Sequence, residues 1–419
     1  MKRLEKGNDT LANLTGQSLR LEPTRLRRNN RTTDFAQVRI QAESLYRGLR
    51  LNWCCTCKIP HTAILRLEAR TSGIAEDSEP GRIRFRMVFS FDVQDIPHSV
   101  LPWKSKETHI ESVEEEDGVS ELSPTSAHSS PLTSTSSLTL VRPRRAVRWG
   151  SENSQSSSTT TLTIRSSVSQ NSSMVQIKNL CSAFKDCKGT EACLGFLVDE
   201  KQMRHGIYPI LQSLHREPPT AVTLYRRLAN GPQNRNTKLT RKERLKLALT
   251  LASSVLQLHK TPWLNERWGK SDILFLEGNN GPYISRTFLP MGAVPAQDVT
   301  TQTKPIPLVR NETIFALGVI LIELCLGQAL ETMREPEDLG DDGLPNSLTD
   351  YMTARRLVSE VYDEGGGRYG DAVRRCIHCE FDQRNASLDV EAFRQSFFQG
   401  VIQPLEVCIS ISNAIICTN

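Results

Sequence analysis

Residues 240–259 read TRKERLKLALTLASSVLQLH, and this stretch is the clearest structural signal in the chain. Thr240 followed three residues later by Glu243 is a capping box, in which each side chain accepts a hydrogen bond from the other residue's amide. Apolar residues then cover nearly every face, which predicts a buried helix rather than an amphipathic one. His259 and Lys260 place positive charge at its end, and Pro262 stops it.

A second buried helix is predicted over Thr313–Leu326, where the sequence reads TIFALGVILIELCL and Gly327 provides a C-terminal stop. Between the two helices, Ile273–Leu276 and Pro282–Ser285 predict a pair of strands joined by a turn. Further helices are expected around Met352–Val361, Gly370–Cys379 and Asp389–Ile402.

Strand patterns dominate the chain before this helical part. His61–Glu68 and Arg82–Phe91 alternate between apolar and polar residues, and the polar face of the second segment carries arginines. Cys193–Val198 and His205–Ile210 predict a hairpin, and Ile177–Phe184 predicts a short helix before it.

Composition predicts a chain that is compact only in part. Hydrophobic residues make up 38% of the sequence and aromatic residues 6%, and both fractions are low for a chain that is folded along its whole length. A net charge of +5, from 52 basic and 47 acidic residues, is a mild bias that does not indicate nucleic-acid binding. Eleven cysteines fall below disulfide-framework density, and the longest apolar run is shorter than the ~20 residues that span a bilayer. We therefore expect a soluble cytoplasmic protein with reduced cysteines.

Shifts in composition predict six segments. Residues 105–173 open with an acidic run and continue in Ser and Thr, so they cannot bury enough apolar surface to become ordered. Within this insert, the basic patch at 142–148 is either a nuclear address or part of a solvated linker. The other segments are a helical remnant or loosely ordered stretch (1–50), two strand-rich parts (51–104 and 174–230), a helical part (231–406) and an edge strand or tail (407–419).

The order of elements from Cys193 onward resembles a protein kinase, from the strand that leads to the hinge to the end of the helical lobe. Five matches in the right order carry this resemblance: Leu194–Val198, Leu239–His259 with its Leu-x-Leu-His ending, Ser271–Leu274, Phe315–Leu324, and Cys376 with Asp382–Asn385. The resemblance implies a two-lobed kinase-like α+β fold. Residues 51–104 and 174–230 would form a split, divergent, β-rich small lobe, and residues 231–406 a mainly α-helical large lobe.

The sequence is also similar to a fungal family of uncharacterised proteins with kinase-like C-terminal halves. The features that look typical of that family are Trp53, Cys55, Cys57, His61, the Trp263 and Trp268 pair, and Phe315–Leu324. Some relatives join this region to an N-terminal helical domain of the prion-inhibition (HeLo-like) type. Residues 1–50 would be only a remnant of such a domain.

The residues that phosphoryl transfer requires are missing at the matching positions. No G-x-G-x-x-G loop and no Val-Ala-x-Lys strand occurs before residue 190. The resemblance places Arg267 where the hydroxyl-orienting Asp belongs, Asp272 where the metal-binding Asn belongs, and Arg286 where the second metal-binding Asp belongs. Two cations therefore replace two anions, which inverts the local charge and should repel metal. Asp272 alone keeps the chemistry to bind a cation.

These replacements favour a catalytically silent binding or regulatory module, a pseudokinase that acts through protein–protein interaction and uses no cofactor. The alternative is a divergent ATP-dependent protein kinase, and nucleotide binding by the chain would favour this alternative. Arg267 and Arg286 are candidate anion-binding residues, for a nucleotide phosphate or a phosphopeptide. In the plainer interpretation they pair with Glu266, Glu277 or Asp272.

Cysteines before the first strand raise the question of zinc. Cys54-Cys55-x-Cys57-x-x-x-His61 could be half of a zinc site, but four ligands are needed. Cys376-Ile377-His378-Cys379 would supply the rest only if the fold joined distant regions. Such cysteines are more often small core residues, so we expect no metal. Trp263 and Trp268 flank the catalytic-loop position and are expected to pack that loop down.

Overall fold

Helices and one antiparallel sheet make up the computed structural model, which confirms the α+β class. The residues that the structure describes are 34–57, 59–70, 83–91, 103, 105–113, 174–188, 191–210, 220–229, 239–278, 281–289, 309–346, 348–381 and 385–416. The predictions for residues 1–33, for the basic patch at 142–148 and for the Ser/Thr-rich stretch up to residue 173 lie outside this set.

The sheet contains eight strands in the order β4-β5-β3-β2-β1-β8-β7-β6. Their bounds are β1 His61–Arg66, β2 Arg84–Phe91, β3 Lys106–Val113, β4 Gly195–Val198, β5 Arg204–Pro209, β6 Ala221–Thr223, β7 Ile273–Leu276 and β8 Tyr283–Phe288. All neighbouring strands are antiparallel, and the predicted β4–β5 hairpin forms with Gly195 opposite Ile207.

The helices are α1 Phe35–Asn52, α2 Leu180–Asp186, α3 Leu224–Ala229, α4 Arg241–Leu258, α5 Glu312–Leu326, α6 Thr349–Gly365, α7 Gly367–His378, α8 Glu391–Phe397 and α9 Gln403–Ile416. The two helices predicted to be buried, α4 and α5, pack against each other at the centre of one hydrophobic core. The capping box at the start of α4 is confirmed, since the Glu243 amide donates to the Thr240 hydroxyl and the Thr240 amide to the Glu243 carboxylate. Gly327 ends α5 with a φ of 73°, a left-handed conformation that favours glycine.

Strand β1 joins the two parts of the sheet. On one side it pairs with β2, and on the other with β8, with His61 opposite Phe288 and Ala63 opposite Arg286. The strands predicted for residues 51–104 and the hairpin predicted for the helical part therefore share one continuous sheet. The described residues before 114 and after 173 form one compact unit, and the two-lobed kinase-like arrangement stays a prediction.

Helix α1 extends further than the predicted remnant at residues 1–50. The Asp34 side chain caps it by accepting hydrogen bonds from the amides of Ala36 and Gln37. One face of the helix is fully buried and packs against α4 and β4. Its buried apolar residues are Val38, Ala42, Leu45 and Leu49. The spacing of three and four residues explains why this short polar stretch becomes part of the core.

The predicted start of the disordered insert was wrong. Residues 106–113, placed in the disordered insert, form β3, because cross-strand ion pairs neutralise its acidic residues. Arg84 Nε lies 2.5 Å from Glu111 Oε1, and Arg86 Nε lies 2.5 Å from Glu107 Oε1.

Residues 407–419 were left open as an edge strand or a tail, and of these 407–416 continue as helix α9, so the edge-strand alternative is wrong. Residues Phe398–Ile402 form one π-helical turn that connects α8 to α9. Leu405 and Ile409, four residues apart, are buried on one face of α9, so the apolar pattern was helical. Among the described residues, none of the helices has both the length and the apolar character needed to cross a bilayer.

Candidate functional site

The segment that corresponds by resemblance to a catalytic loop runs from the end of α4 to the start of β7. Its two tryptophans are buried, as predicted: Trp263 is 0% exposed and Trp268 is 3% exposed. The indole N–H of Trp263 donates to the carbonyl of Ala42 in α1 at 2.8 Å, and that of Trp268 donates to the carbonyl of Thr313 at 3.2 Å. Both rings therefore anchor the loop to neighbouring helices.

Arg286 lies in β8 and makes its hydrogen bonds to main-chain carbonyls. Its guanidinium donates to Pro262 O at 2.5 Å, to Trp263 O at 2.6 Å and to Ser285 O at 2.8 Å. Burial lowers the pKa of Arg286, and the charge of Asp272 acts in the opposite direction. This side chain ties the loop to the sheet, at the position where the resemblance placed a metal-binding carboxylate.

Arg267 forms an exposed ion pair. Its Nε lies 2.7 Å from Glu312 Oε2, and a second nitrogen lies 3.2 Å from Glu312 Oε1, a two-point contact at the first residue of α5. The hydrogen bond to Glu312 raises the pKa of Arg267. Glu312 was not among the three carboxylates that the sequence suggested, but one of those three, Glu266, also raises the pKa of Arg267 through its charge.

Asp272 also has a local hydrogen bond. Its Oδ2 accepts from the amide of Gly269 at 2.8 Å, while its own amide donates to the Gly269 carbonyl at 3.0 Å. Asp272 is close enough to Arg286 for its charge to act on the arginine. The structure thus brings Asp272 and Arg286 together, whereas Arg267 points to Glu312. Their proposed anion-binding role stays a prediction.

A buried ion pair next to this loop was missed by the sequence analysis. Lys270 Nζ contacts Glu323, which is 0% exposed in the middle of α5, and lies 2.6 Å from Glu331 Oε2. Glu323 Oε1 also accepts from the amide of Leu330 at 2.8 Å. The available signal was a single acidic residue inside the apolar run of α5, since a buried carboxylate requires a partner.

His259 does not carry the positive charge predicted for the end of α4. It is 3% exposed, and burial lowers its pKa to about 4, so the ring is neutral near pH 7. Arg39 of α1 contacts the Nε2 atom of His259, and Nδ1 lies 3.1 Å from the Val255 carbonyl. The histidine therefore links α1 to the end of α4.

Residues 32–411 match the family model described as Domain of unknown function (DUF7580). The chain belongs to this family. No curated protein matches it. The DUF7580 match includes α1, all eight strands and the catalytic-loop segment, so it treats the strand-rich and helical parts as one region.

The DUF7580 region also contains a cluster of Cys55, Cys57, His61 and Cys181, whose ligand atoms all lie within 4.8 Å of one another. The first three are the residues that the sequence raised as half of a zinc site. The fourth comes from α2. Cys376 and Cys379 are buried in α7 and at its end, outside this cluster. Burial raises the pKa of Cys57 to about 12, and it raises the pKa of Cys181 as well.

Proposed function

We propose that this DUF7580 chain is a catalytically silent, kinase-like binding or regulatory module that acts through protein–protein interaction. The order of elements supports the kinase-like part of the proposal. From Cys193 onward, where the resemblance begins, strands β4 and β5, the long helix α4, the β7–β8 hairpin and the buried helix α5 occur in the order that the resemblance implies. A fold alone does not imply an activity, so the chemistry of the loop decides between a kinase and a binding module.

The observation that carries the proposal is the role of Arg286. A kinase requires a carboxylate here, because magnesium must bridge the phosphates during transfer. The guanidinium instead brings a positive charge and makes hydrogen bonds to the carbonyls of Pro262, Trp263 and Ser285. Replacing it by a metal site would leave those carbonyls without their donors.

The pairing of β1 with β8 supports the part of the proposal that concerns the absence of catalysis. In the resemblance, a nucleotide would lie between the sheet of the small lobe and the loop and hairpin of the large lobe. Here His61–Arg66 forms a hydrogen-bonded ladder with Tyr283–Phe288. A ladder spacing of ~4.8 Å leaves no room for a nucleotide between these two strands.

We propose a cytoplasmic location for the protein. The alternative is entry into the nucleus through the basic patch at residues 142–148.

The test is a thermal-shift titration of the full chain with ATP, with and without magnesium. A ligand that binds the native state must stabilise it by mass action, by about 2.7 kcal/mol at a hundred times its Kd. We expect no magnesium-dependent shift at millimolar ATP and no phosphate transfer to the chain or to a generic substrate. An active protein kinase treated in parallel verifies that the assay detects binding.

A magnesium-dependent shift would contradict the proposal and favour the divergent kinase. In that case Asp272→Ala is the decisive variant, because it removes every side-chain oxygen at this metal position, including the acceptor of the Gly269 amide, whereas Asp272→Asn would install the residue that a kinase uses there. Loss of the shift in this variant would assign the metal to Asp272.

A further inference from the structure

We propose that Cys55, Cys57, His61 and Cys181 bind one structural zinc ion. This site is independent of the proposed binding function, since none of its four ligands belongs to the catalytic-loop segment or to Arg286. The inference rests on geometry, on the chemistry of the four donors and on their surroundings.

The spacing of the donor atoms fits a tetrahedral ion. Cys57 Sγ lies 3.5 Å from Cys181 Sγ, and Cys55 Sγ lies 3.6 Å from His61 Nε2. All four ligand atoms lie within 4.8 Å of one another. With a Zn–S bond of ~2.3 Å, two sulfurs of a tetrahedral site are separated by ~3.8 Å, so the observed distances need only small side-chain adjustments.

The donor set selects zinc among the common metals. Three thiolates and one imidazole are a typical ligand set of closed structural zinc sites, whereas calcium and magnesium require oxygen. Carboxylates are absent from the cluster, and its ligand atoms leave no open position for a water or a substrate. The site would therefore stabilise structure rather than supply catalysis.

The surroundings of the cluster also suit a metal centre. The indole N–H of Trp103 donates to Cys181 Sγ at 3.1 Å, which is the kind of outer-shell hydrogen bond that holds a thiolate ligand in place. The His61 ring, which is 1% exposed, packs against Trp53, Phe91 and Trp103 at centroid distances of 5.0, 4.7 and 6.0 Å. These rings keep water away from the donors and fix the imidazole.

Neighbouring contacts hold the two contributing segments together before any metal arrives. Cys54 Sγ lies 3.2 Å from the Lys178 carbonyl, and the Asn179 side chain donates to the Cys54 carbonyl at 3.3 Å. Asn179 also caps α2 by accepting from the amide of Ser182. Since His61 is fixed as the first residue of β1, the three local ligands and Cys181 face each other on preorganised backbone.

A zinc ion here would join chain segments on either side of residues 114–173. It would fix α2 to the start of β1, and α2 carries Phe184, which packs against Phe89 and Trp103 in the core. Binding energy at such a site is folding energy, so removal of the metal should loosen this part of the protein.

The test begins with the full chain, purified without chelator from cells grown with zinc. Elemental analysis is expected to give one zinc per chain. Replacement by cobalt(II) is expected to give thiolate-to-metal charge-transfer absorption and the ligand-field bands of tetrahedral coordination. A chelator should lower the thermal midpoint, and added zinc should restore it.

Single substitutions then locate the ion. Cys57→Ser and Cys181→Ser should lose the zinc, from one per chain to none, together with the chelator effect. Cys325→Ser and Cys376→Ser are the controls, since both thiols lie outside the cluster, Cys325 half-buried and Cys376 only 1% exposed. Both controls should keep the full metal content. The cobalt spectrum of the unaltered chain needs no variant, so it remains decisive if a variant fails to fold.

Four results would overturn the assignment. Zinc-free protein with a mass lower by two hydrogens would indicate a Cys57–Cys181 disulfide instead. Zinc-free protein with the thiols reduced would make the cluster core packing only. Iron with acid-labile sulfide would mean another metal centre, and zinc retained in both cluster variants would place the ion elsewhere in the chain.

Discussion

Removing the positive partner of the buried Glu323 is the sharpest test of the fold around the catalytic-loop segment. In Lys270→Met, the Glu323 carboxylate would keep the hydrogen bond from the Leu330 amide and lose its ion pair. Glu323 Oε2 already has no hydrogen-bond partner among the described residues. Breaking a buried pair on one side typically costs about 3–5 kcal/mol.

The pH dependence sharpens this estimate. Burial raises the pKa of Glu323, and Lys270 partly offsets that rise, so without Lys270 the pKa rises further. The Glu323 carboxylate can also become neutral by taking up a proton. For a carboxyl group with an ordinary pKa of 4.5, protonation costs about 3.4 kcal/mol at pH 7 and about 0.7 kcal/mol at pH 5, because each pH unit above the pKa adds 1.36 kcal/mol. Because the native variant then holds more protons than its unfolded chain, its stability must fall as pH rises.

Urea unfolding at pH 7 and pH 5 measures the effect. We expect Lys270→Met to lose about 3 kcal/mol at pH 7 and about 1 kcal/mol at pH 5. The double variant with Glu323→Gln should recover most of the loss, because Gln still accepts from Leu330. Glu331→Gln is the control: its side chain is 45% exposed, so the cost should stay below about 1 kcal/mol. An equal loss at both pH values, or no recovery in the double variant, would refute the reasoning.

Three further changes test other parts of the fold. Burial lowers the pKa of His205 from 6.5 to about 4, so the stability that His205 contributes is present above pH 6.5 and is lost as the pH falls toward 4. His205→Gln should therefore make the free energy of unfolding less dependent on pH between these two values. Gly318→Ala would place a Cβ 2.7 Å from a side-chain carbon of Ile377 and should cost about 1–3 kcal/mol in urea unfolding, and a neutral result would contradict the tight packing of α5 on α7. Thr240→Ala removes the cap of α4 and should lower the free energy of unfolding by about 1 kcal/mol, measured by calorimetry. Thr240→Ser keeps a hydroxyl at the cap and should retain the stability.

The candidate site shows how far the sequence alone could go. The positive charges of Arg267 and Arg286 were visible in the sequence, because charge is a property of residue type. The partners of these arginines were not. Glu312 lies 45 residues from Arg267, and Arg286 bonds to main-chain carbonyls, which carry no sequence signal.

The cysteine cluster also could be predicted only in part from the sequence. Cys55, Cys57 and His61 are near neighbours in sequence, so their spacing raised zinc as a hypothesis. The fourth donor lies 124 residues from Cys57. The short helix α2 had been predicted, but nothing in its sequence indicates that Cys181 faces the start of β1. Without that donor, core packing was the reasonable expectation.

The sequence by itself determined the elements whose signals are local: the capped helix α4, the apolar helix α5 and the alternating strands. These follow from side-chain periodicity and residue type. Only the tertiary structure decided which elements meet. Pairing of β1 with β8, docking of α1 on α4 and convergence of four metal-ligating side chains all join residues more than a hundred positions apart. Such contacts are selected by the burial of the whole core, and a local pattern does not encode them.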